Sequence, residues 1–245
     1  MRIFIWLLPL FLFAASPDNL HLCTVADHVD HPTFFLLEQS CAQANINLKI
    51  LGLGKPYFGN GTKFIRMRSY LDTLPDDDIV LFTDAFDTMV IQSKEELLKT
   101  FLSFESPLVL SGGRELPKNN DHEVDESLIP AFDLTTPAPF INSGGYVGYV
   151  WRLKEWMDSL NIDPTKRDQP QVTAHYASHK ENCCIDTSCK LFLTLKFLDT
   201  SDLDISDDGV VVLKENGATP GVIHANWNSF DRIVPIYKRY IKVDN

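Results

Sequence analysis

The residues best suited to chemistry in this 245-residue chain are two aspartates three positions apart. Asp84 and Asp87 directly follow an apolar run in the segment IVLFTDAFD (79–87). Ligands of open α/β sheets collect at the carboxyl ends of strands, and Mg²⁺ or Mn²⁺ is held there by carboxylates together with a ligand's phosphates. This DxxD spacing therefore suits a metal-bound nucleotide-sugar. The plainer interpretation is a strand followed by an acidic turn, since Asp favours turns.

A histidine late in the chain is the third candidate ligand. His224 ends the apolar run GVI (221–223), so it is expected to emerge at a strand terminus as Asp84 does. Neutral imidazole binds Mn²⁺ well beside carboxylates. Two carboxylates and one imidazole would leave coordination positions for a diphosphate. The alternative for His224 taken alone is a structural histidine whose hydrogen bonds are satisfied within the fold.

Two further segments carry groups that fit a sugar nucleotide. The turn Asn142-Ser143-Gly144-Gly145 pairs an amide side chain, which can bond sugar hydroxyls, with glycines that let a ligand approach the backbone. Lys63 follows the Gly-rich loop 59–62 near a predicted helix start, where it could meet a diphosphate. Taken singly, each has a plain alternative as an ordinary turn and a solvated surface lysine.

The elements that must position these residues alternate between strands and helices, which is typical of a mostly parallel sheet covered by helices. No GxGxxG motif follows the first strand, so a dinucleotide-binding Rossmann unit is not supported. The long polar segment 112–139 is expected to flank the active site. Strands are predicted at 20–26, 47–53, 78–84, 107–112, near 140–145, at 210–214 and at 221–226, and helices at 32–45, 62–73, 93–104, 151–160 and 168–178. The segment 191–199 is left unassigned, and the tail 231–243 is expected to be a helix or strap packed on the sheet.

Composition limits the class of protein. Residues 1–16 have a basic start, a short apolar run containing Pro9 and a small-residue exit, which predicts a cleaved secretory signal peptide rather than a membrane anchor. Residues 17–245 are then expected to form one domain, without further membrane attachment. The net charge of −11 argues against a nucleic-acid partner and suits a protein that binds a divalent cation.

Five cysteines in a chain destined for an oxidising compartment predict disulfides. Pairing of Cys189 with Cys183 or Cys184 is the favoured expectation, and zinc binding with His175 and His179 nearby is the alternative. Cys23 lies in a predicted core strand and is expected to be buried and inert. Asn60-Gly61-Thr62 is an N-glycosylation sequon, usable only where its loop is exposed.

Taken together, the order of these motifs resembles the glycosyltransferase domain of the procollagen lysyl hydroxylase family over roughly residues 20 to 230. The segments that carry the resemblance are TVA (24–26), LGLG (51–54), the loop before Lys63, LFTDAFD (81–87), EELLK (95–99), FINSGGY (140–146), Asp168-Gln169 and IHAN (223–226).

The resemblance implies a GT-A type fold, Rossmann-like and with a single domain, that binds a UDP-sugar through Mn²⁺ or Mg²⁺. It further implies transfer of glucose or galactose to a hydroxyl acceptor of the collagen hydroxylysine type, in the endoplasmic reticulum lumen or outside the cell. By position, Asp84, Asp87 and His224 would bind the metal and Lys63 the diphosphate. Residues near the nucleotide would be Val25, Tyr57 and Phe86, while Asn142 and Asp168 would face the sugar and the acceptor.

Two segments depart from the family's pattern. The acidic run before the Gln is reduced to Lys166-Arg167-Asp168, and the Gly-rich segment after the histidine becomes 224–230 with a bulky Trp227. Two alternatives therefore stay open: a catalytically inactive module that keeps the fold, and a secretory-pathway transferase with a different acceptor. A two-metal phosphodiesterase is disfavoured, because it would need more His and Asp ligands.

Overall fold

A computed structural model describes residues 16–119, 123–180, 183–226 and 229–242. The predicted signal peptide, apart from Ser16, lies outside the described residues, as do Trp227 and Asn228. The strands are β1 (Leu20–Val25), β2 (Leu48–Leu51), β3 (Ile79–Thr83), β4 (Thr88–Val90), β5 (Leu108–Gly113), β6 (Phe140–Tyr149), β7 (Cys184–Asp186), β8 (Phe192–Thr194), β9 (Leu203–Ile205), β10 (Val211–Leu213) and β11 (Val222–His224). The helices are α1 (Phe35–Gln43), α2 (Thr62–Leu71), α3 (Lys94–Leu102), α4 (Val150–Leu160), α5 (Asp168–Ser178) and α6 (Phe230–Ile241).

The main sheet has the strand order β2-β1-β3-β6-β5-β7. Parallel pairs join β1 to β2, β1 to β3 and β5 to β7, whereas β6 runs antiparallel to both of its neighbours. The predicted α/β class with a mostly parallel, helix-flanked sheet in one domain is therefore confirmed. The antiparallel direction of β6 was not predicted, because nothing in an apolar run specifies the direction of the neighbouring strand.

Both faces of the main sheet are covered. Along β3, Val80 and Phe82 pack with α2 and α4 on one face, while Ile79 and Leu81 pack with α1 and α3 on the other. This alternation explains why the run reads as continuously apolar, as is typical of strands buried on both sides. Ser93 is the N-cap of the helix α3 and forms the expected capping box with Glu96. The Glu96 carboxylate accepts a hydrogen bond from the Ser93 backbone amide.

A smaller sheet of order β4-β11-β8 adjoins the main sheet. Its core includes Met89, Leu193 and Ile223, and Ile233 and Ile236 of α6 pack against them. The tail is therefore a helix, and the strand β8 occupies part of the unassigned segment 191–199. The strand β4, three residues long, was not predicted because it lies immediately after the acidic turn.

The cysteine prediction was wrong. Cys184 and Cys189 are free thiols, so neither expected pairing with Cys189 is formed. The physical reason is that the fold separates them, since Cys184 packs beside the core under α1 and α3, whereas Cys189 is buried in the core of the smaller sheet. Cys23 is fully buried as expected. No helix in the described part of the chain combines the length and apolar character needed to cross a bilayer.

Candidate active site

The two aspartates of the DxxD segment lie where the chain passes from the larger sheet to the smaller one. Asp84 follows the last residue of β3, and Asp87 precedes the first residue of β4. The Asp84 backbone amide donates to the Gly144 carbonyl at 3.0 Å, and the Ala225 amide donates to the Asp87 carbonyl at 2.7 Å. Neighbouring strands of both sheets therefore hold the backbone of residues 84–87, the DxxD crossing, and so fix where the two carboxylates begin.

His224 meets these carboxylates because β11 pairs with β4, with His224 opposite Thr88. Its Nε2 lies 3.2 Å from Asp87 Oδ1 and 3.8 Å from Asp84 Oδ2. One ligand atom from each of the three residues lies within 4.8 Å of the others. Among the residues that the structure describes, this is the single cluster of three or more such side chains able to hold a metal ion, and the alternative zinc site near His175 is not formed there.

Asn142 determines which imidazole nitrogen faces the carboxylates. Its Oδ1 accepts a hydrogen bond from the Gly144 backbone amide at 3.0 Å, which fixes the orientation of the side-chain amide. The same oxygen lies 3.1 Å from His224 Nδ1. Because an acceptor requires a donor, Nδ1 carries a proton, and Nε2 is the ring nitrogen that faces the carboxylates. A hydrogen bond to the far ring nitrogen is the contact that commonly orients a histidine for metal binding.

Gly144 leaves the space in which these groups meet. A Cβ at this position would lie 2.2 Å from His224 Cε1 and 2.7 Å from Asp84 Oδ2. Both distances are far below van der Waals contact, so any side chain here would displace a candidate ligand. The FINSGG segment lies within β6 rather than forming the predicted turn, and its Gly144 is required for His224 and Asp84 to approach each other.

The electrostatics of the cluster fit a divalent cation. Burial raises the pKa of Asp84, and this effect prevails over the opposing influence of Lys63 and His224. Burial alone would also raise the pKa of Asp87, but the nearby His224 outweighs it and the pKa is lowered. For His224 burial acts to lower the pKa, yet the Asp87 carboxylate prevails and raises it. Two crowded carboxylates thus compete for the available positive charge, and oxygen and imidazole donors of this kind suit Mn²⁺ or Mg²⁺.

A buried ion triplet adjoins the metal cluster. Lys63 Nζ lies 2.8 Å from Asp84 Oδ1 and 2.8 Å from Asp168 Oδ2, and the Lys63 side chain is only 7% exposed. Burial acts to lower the pKa of Lys63, but the carboxylates of Asp168 and Asp84 outweigh it and the pKa is raised. Burial likewise acts to raise the pKa of Asp168, and Lys63 outweighs it, so the pKa is lowered. The raised pKa of Lys63 and the lowered pKa of Asp168 both favour the charged forms of this pair.

Two adjoining cavities open at this cluster, and both are lined by Lys63, Asp84 and Asp87. The aromatic lobe has a volume of about 650 Å³ and is lined by Val25, His28, His31, Tyr57 and Phe86 among others. The polar lobe has a volume of about 550 Å³ and includes Asn142, Asp168, Gln169 and His224 in its lining. The nine residues singled out from the sequence thus all line one lobe or both.

The aromatic lobe also contains two histidines that the sequence analysis missed. The His31 ring lies 4.4 Å from the Phe86 ring between centroids, and the His28 ring lies 5.4 Å from it. Thr33 Oγ1 donates a hydrogen bond to the Phe86 carbonyl, which ties the loop after β1 to the DxxD crossing. The available signal was the histidine-rich segment DHVDH (27–31) directly after a strand, at the edge where ligands collect.

The polar segment after β5 contributes Arg114, Glu115 and Lys118 to the polar lobe, so its first part flanks the site. Asn60 of the sequon is exposed and lines both lobes. A glycan on Asn60 would therefore stand at the mouth of the site.

Residues 16–242 match the family model described as "PLOD GT domain". The chain is 27% identical over 254 residues to procollagen-lysine,2-oxoglutarate 5-dioxygenase 1 of Homo sapiens, covering 87% of this chain and 30% of that protein. It is also 27% identical over 256 residues to the multifunctional procollagen lysine hydroxylase and glycosyltransferase of Caenorhabditis elegans, covering 96% of this chain and 33% of that protein. The chain thus spans about a third of the length of the curated relatives it matches.

Among solved structures, the chain is similar to the crystal structure of a glycosyltransferase involved in the glycosylation of the major capsid of PBCV-1. The TM-score is 0.52 at 12% identity, and the match covers 91% of this chain and 99% of the other. At this identity the likeness concerns the fold alone, which is of the GT-A type.

Proposed function

The chain belongs to the family of PLOD glycosyltransferase domains, and from that premise we propose that it transfers a hexose, glucose or galactose, from a UDP-sugar to a hydroxyl acceptor. The observation that carries the proposal is the cluster of Asp84, Asp87 and His224 at the junction of two lobes, with His224 Nε2 directed at the carboxylates. A junction of this kind suits a ligand whose two ends differ. The aromatic lobe would take the uracil and ribose, and the polar lobe the sugar and the acceptor.

Each of the residues has a definite part in the proposed reaction. Asp84, Asp87 and His224 would hold Mn²⁺ or Mg²⁺, which when bound supplies Lewis-acid neutralisation of the diphosphate. Lys63 adds a buried positive charge next to Asp84, which would help to neutralise the diphosphate. Val25, Tyr57 and Phe86 would enclose the base, since apolar and aromatic side chains dominate small-molecule sites.

In the transfer itself, the bond between the anomeric carbon and the phosphate oxygen breaks and its electron pair leaves with UDP. The acceptor oxygen forms the new bond to that carbon, and its proton passes to the departing diphosphate. Because the pKa of Asp168 is lowered, its carboxylate stays ionised and is suited to orienting the acceptor hydroxyl or stabilising positive charge at the anomeric carbon. The Oδ1 of Asn142 is committed to His224, and its Nδ2 lies 3.5 Å from Gln169 Oε1. Because an amide nitrogen has two hydrogens, one of them would remain for a sugar hydroxyl.

The relatives' names point to procollagen lysine as the site of modification. By extension, a collagen-type hydroxylysine or its galactosyl derivative is the first acceptor to test. We place the protein in the secretory pathway, in the endoplasmic reticulum lumen or secreted, with residues 1–16 as a signal peptide.

The decisive experiment measures the melting temperature and UDP release of the purified chain with a panel of UDP-sugars, with and without Mn²⁺. Stabilisation by UDP that depends on Mn²⁺, with UDP released from one sugar, would establish the transferase and identify its donor. Asp87→Ala should abolish both responses, whereas Asp207→Ala, an exposed aspartate in the β9–β10 hairpin, should leave them unchanged.

The opposite result has an equally clear meaning. Failure of every UDP species to bind or to be cleaved would refute the transferase proposal and favour a module that keeps the fold without catalysis. Full activity of Asp87→Ala would refute the metal assignment alone.

A further inference from the structure

One aromatic residue of the polar lobe has a backbone conformation that aromatic residues avoid. Phe197 has a φ of 65°, and a bulky residue in this left-handed region is a genuine outlier. Left-handed residues are common at the ends of helices. Four other non-glycine residues with positive φ lie at or just after helix ends: Asn45, Glu105, Asn161 and Lys242. Phe197 instead follows the strand β8, so no helix end accounts for its conformation.

The conformation of Phe197 belongs to a tight turn. The Leu198 backbone amide donates to the Leu195 carbonyl at 3.1 Å, which makes Phe197 the third residue of a four-residue turn. A positive φ at this position is characteristic of a type II turn, which favours Gly or Asn there. Phe therefore costs free energy at a position where glycine would not, and strain of this kind clusters at functional sites.

The turn is attached to the candidate metal site. The Leu195 backbone amide donates to the His224 carbonyl at 2.9 Å, and the Lys196 amide donates to Asn226 Oδ1 at 3.2 Å. Both partners lie at the end of β11, which also carries the imidazole of the metal cluster. These hydrogen bonds fix the backbone of Phe197 relative to that cluster.

The Phe197 ring lies largely outside the core. It is 61% exposed and lines the polar lobe. Leu195 and Leu198, on either side of the turn, are buried in the core of the smaller sheet. The turn thus buries its flanking side chains and leaves the aromatic ring at the lobe. Core packing does not explain the ring, whereas contact with a ligand in the lobe does.

A cation already lies against the Phe197 ring. Lys196 Nζ is 5.1 Å from the ring centroid and also pairs with Glu115, which joins the turn to the segment after β5. A ring that interacts with one ammonium group disfavours a second one close by, because the two charges repel each other. The ring is therefore better suited to a neutral C–H surface than to the ammonium group of unmodified hydroxylysine.

A galactose ring provides such a surface. Its 4-hydroxyl is axial, so the C–H bonds at C3, C4 and C5 lie together on one face and make that face apolar. Aromatic rings offer a large apolar area whose face carries partial negative charge, which attracts C–H groups. Of the two acceptors considered above, hydroxylysine and its galactosyl derivative, only the second brings a sugar face.

The location of Phe197 suits the acceptor rather than the donor. Asn142 and Asp168 are buried within the polar lobe, whereas Phe197 is exposed at its wall. The donor is proposed to bind at the metal cluster, with its hexose toward the buried residues. The exposed ring is then available to the substrate that enters from solvent.

We propose that Phe197 determines acceptor specificity, because its ring stacks on a galactose that the acceptor already carries. The proposal rests on the transferase function proposed above and deepens it by choosing between the two acceptors. In the transfer, a hydroxyl oxygen of that galactose bonds to the anomeric carbon of the incoming hexose, and its proton passes to the departing UDP. A galactosyl transfer to hydroxylysine must therefore precede this reaction.

The first test measures binding without turnover. Methyl β-galactoside and methyl β-glucoside differ only in configuration at C4, and saturation-transfer NMR with Mg²⁺ and UDP shows which of their protons touch the protein. We expect the strongest saturation at H3, H4 and H5 of the galactoside, and a Kd about fivefold lower than that of the glucoside. Equal binding of the two glycosides, or galactoside binding that persists unchanged in Phe197→Gly, would overturn the proposal.

The second test separates acceptor binding from catalysis. Phe197→Gly removes the ring and suits the left-handed backbone, so the variant should fold with a melting temperature close to that of the original chain. With galactosyl-hydroxylysine we expect KM to rise about tenfold while kcat changes less than about twofold, since the lost contact serves binding. Hydroxylysine should be the poorer acceptor, and its kcat/KM should not change. Phe197→Tyr keeps the ring and should keep the original KM.

The matched control is Glu105→Gly, which replaces another exposed residue with positive φ that lies outside both lobes. It relieves the same kind of backbone strain and should leave both KM values unchanged. An equal rise of KM in Glu105→Gly and Phe197→Gly would contradict a role for the ring. Absence of UDP release with every acceptor would refute the transferase function, whereas the comparison of the two glycosides would still decide whether Phe197 binds galactose.

Discussion

The positions of the candidate metal ligands are set by residues that contact them without being ligands themselves. Asn142 and Gly144 both lie in the strand β6 rather than in the predicted turn. Asn142 forms a hydrogen bond with His224, and Gly144 leaves the space that the His224 ring occupies. Lys63 approaches the cluster from another side and binds Asp84. At the scale of single residues, the geometry of the cluster is therefore set by contacts that a list of ligands would omit.

Gly144→Ala should destroy metal-dependent UDP binding while the protein stays folded. The new methyl group would overlap His224 Cε1 and Asp84 Oδ2, so at least one ligand must move, and we expect affinity for Mn²⁺ to fall by at least about 100-fold. Titration calorimetry with Mn²⁺ and UDP measures the loss. The matched control is Gly113→Ala, whose methyl would meet nothing closer than 3.5 Å. Normal metal affinity in Gly144→Ala would contradict the placement of the cluster.

Asn142→Leu should weaken Mn²⁺ binding about 10- to 100-fold, because His224 Nδ1 loses the acceptor that fixes its proton. Asn142→Asp keeps an oxygen in reach of both Nδ1 and the Gly144 amide, so it should retain most of the affinity. The measurement is Mn²⁺ affinity by paramagnetic relaxation of water protons. Equal Mn²⁺ affinity in the two variants would contradict the role of Asn142 in orienting His224.

At the scale of elements, ion pairs and carboxylates hold separate segments together near the site. Lys63 in the first turn of α2 and Asp168 at the start of α5 bring two helix N-termini to the end of β3. Glycines permit this approach, since a Cβ at Gly61 would lie 2.5 Å from the Asp163 carbonyl oxygen. The loop 59–62 therefore needs its small residues for packing against the segment before α5.

Lys63→Met should lower the free energy of unfolding by about 3–5 kcal/mol, because it leaves two carboxylates near each other without their cation. Urea unfolding in the presence of EDTA gives the value without a contribution from metal. Adding Asp168→Asn should recover part of the loss. Lys154→Met breaks a surface pair with Asp76 and should cost no more than about 1 kcal/mol; a similarly small cost for Lys63→Met would contradict the role of the triplet.

Asp186 anchors the segment that leads into β8. Its buried carboxylate accepts hydrogen bonds from the backbone amides of Lys190, Leu191 and Phe192 at 2.7–2.8 Å. Asp186→Ala leaves these amides without partners and should lower the free energy of unfolding by about 3 kcal/mol in urea titrations. Asp204→Ala, at an exposed carboxylate, is the control and should change it by less than about 0.5 kcal/mol. If the free energy of unfolding changed as little in Asp186→Ala as in Asp204→Ala, water would be replacing the carboxylate.

For the whole molecule, the cysteines are divided among three cores, and no disulfide between them contributes to stability. Burial raises the pKa of Cys23, Cys41 and Cys189 to about 12 and that of Cys184 to about 11. These thiols therefore stay protonated at neutral pH and are shielded from reagents.

Dithiothreitol should leave the melting temperature unchanged within about 1 °C, because a short-loop disulfide would contribute about 2–3 kcal/mol and none is formed. Titration with a thiol reagent should modify Cys23, Cys41 and Cys189 only after unfolding in urea. A melting temperature that falls by several degrees on reduction would show that pairing occurs in solution.

The sequence predicted the fold class because its information is local and repeated. Apolar runs bounded by turn residues gave most strands of the main sheet, and helical periodicity with a capping box at Ser93 gave α3 nearly to its ends. The order of motifs such as LFTDAFD and FINSGG predicted the family. The match of the family model over residues 16–242 confirmed it. Of the nine candidate site residues, Lys63, Asp84, Asp87, Asn142 and His224 were identified from motifs. Val25, Tyr57, Phe86 and Asp168 came from the family resemblance, and all nine line one pair of lobes.

What only the tertiary structure decided is how distant segments face one another. Cys183, Cys184 and Cys189 lie within seven residues of sequence yet pack against different cores, since neighbouring side chains leave a backbone in different directions. The hydrogen bond between Asn142 and His224 spans 82 positions, so it leaves no local pattern. Sequence thus determined which residues could do the chemistry, and the pairing of β4 with β11 and of β3 with β6 decided which of them meet.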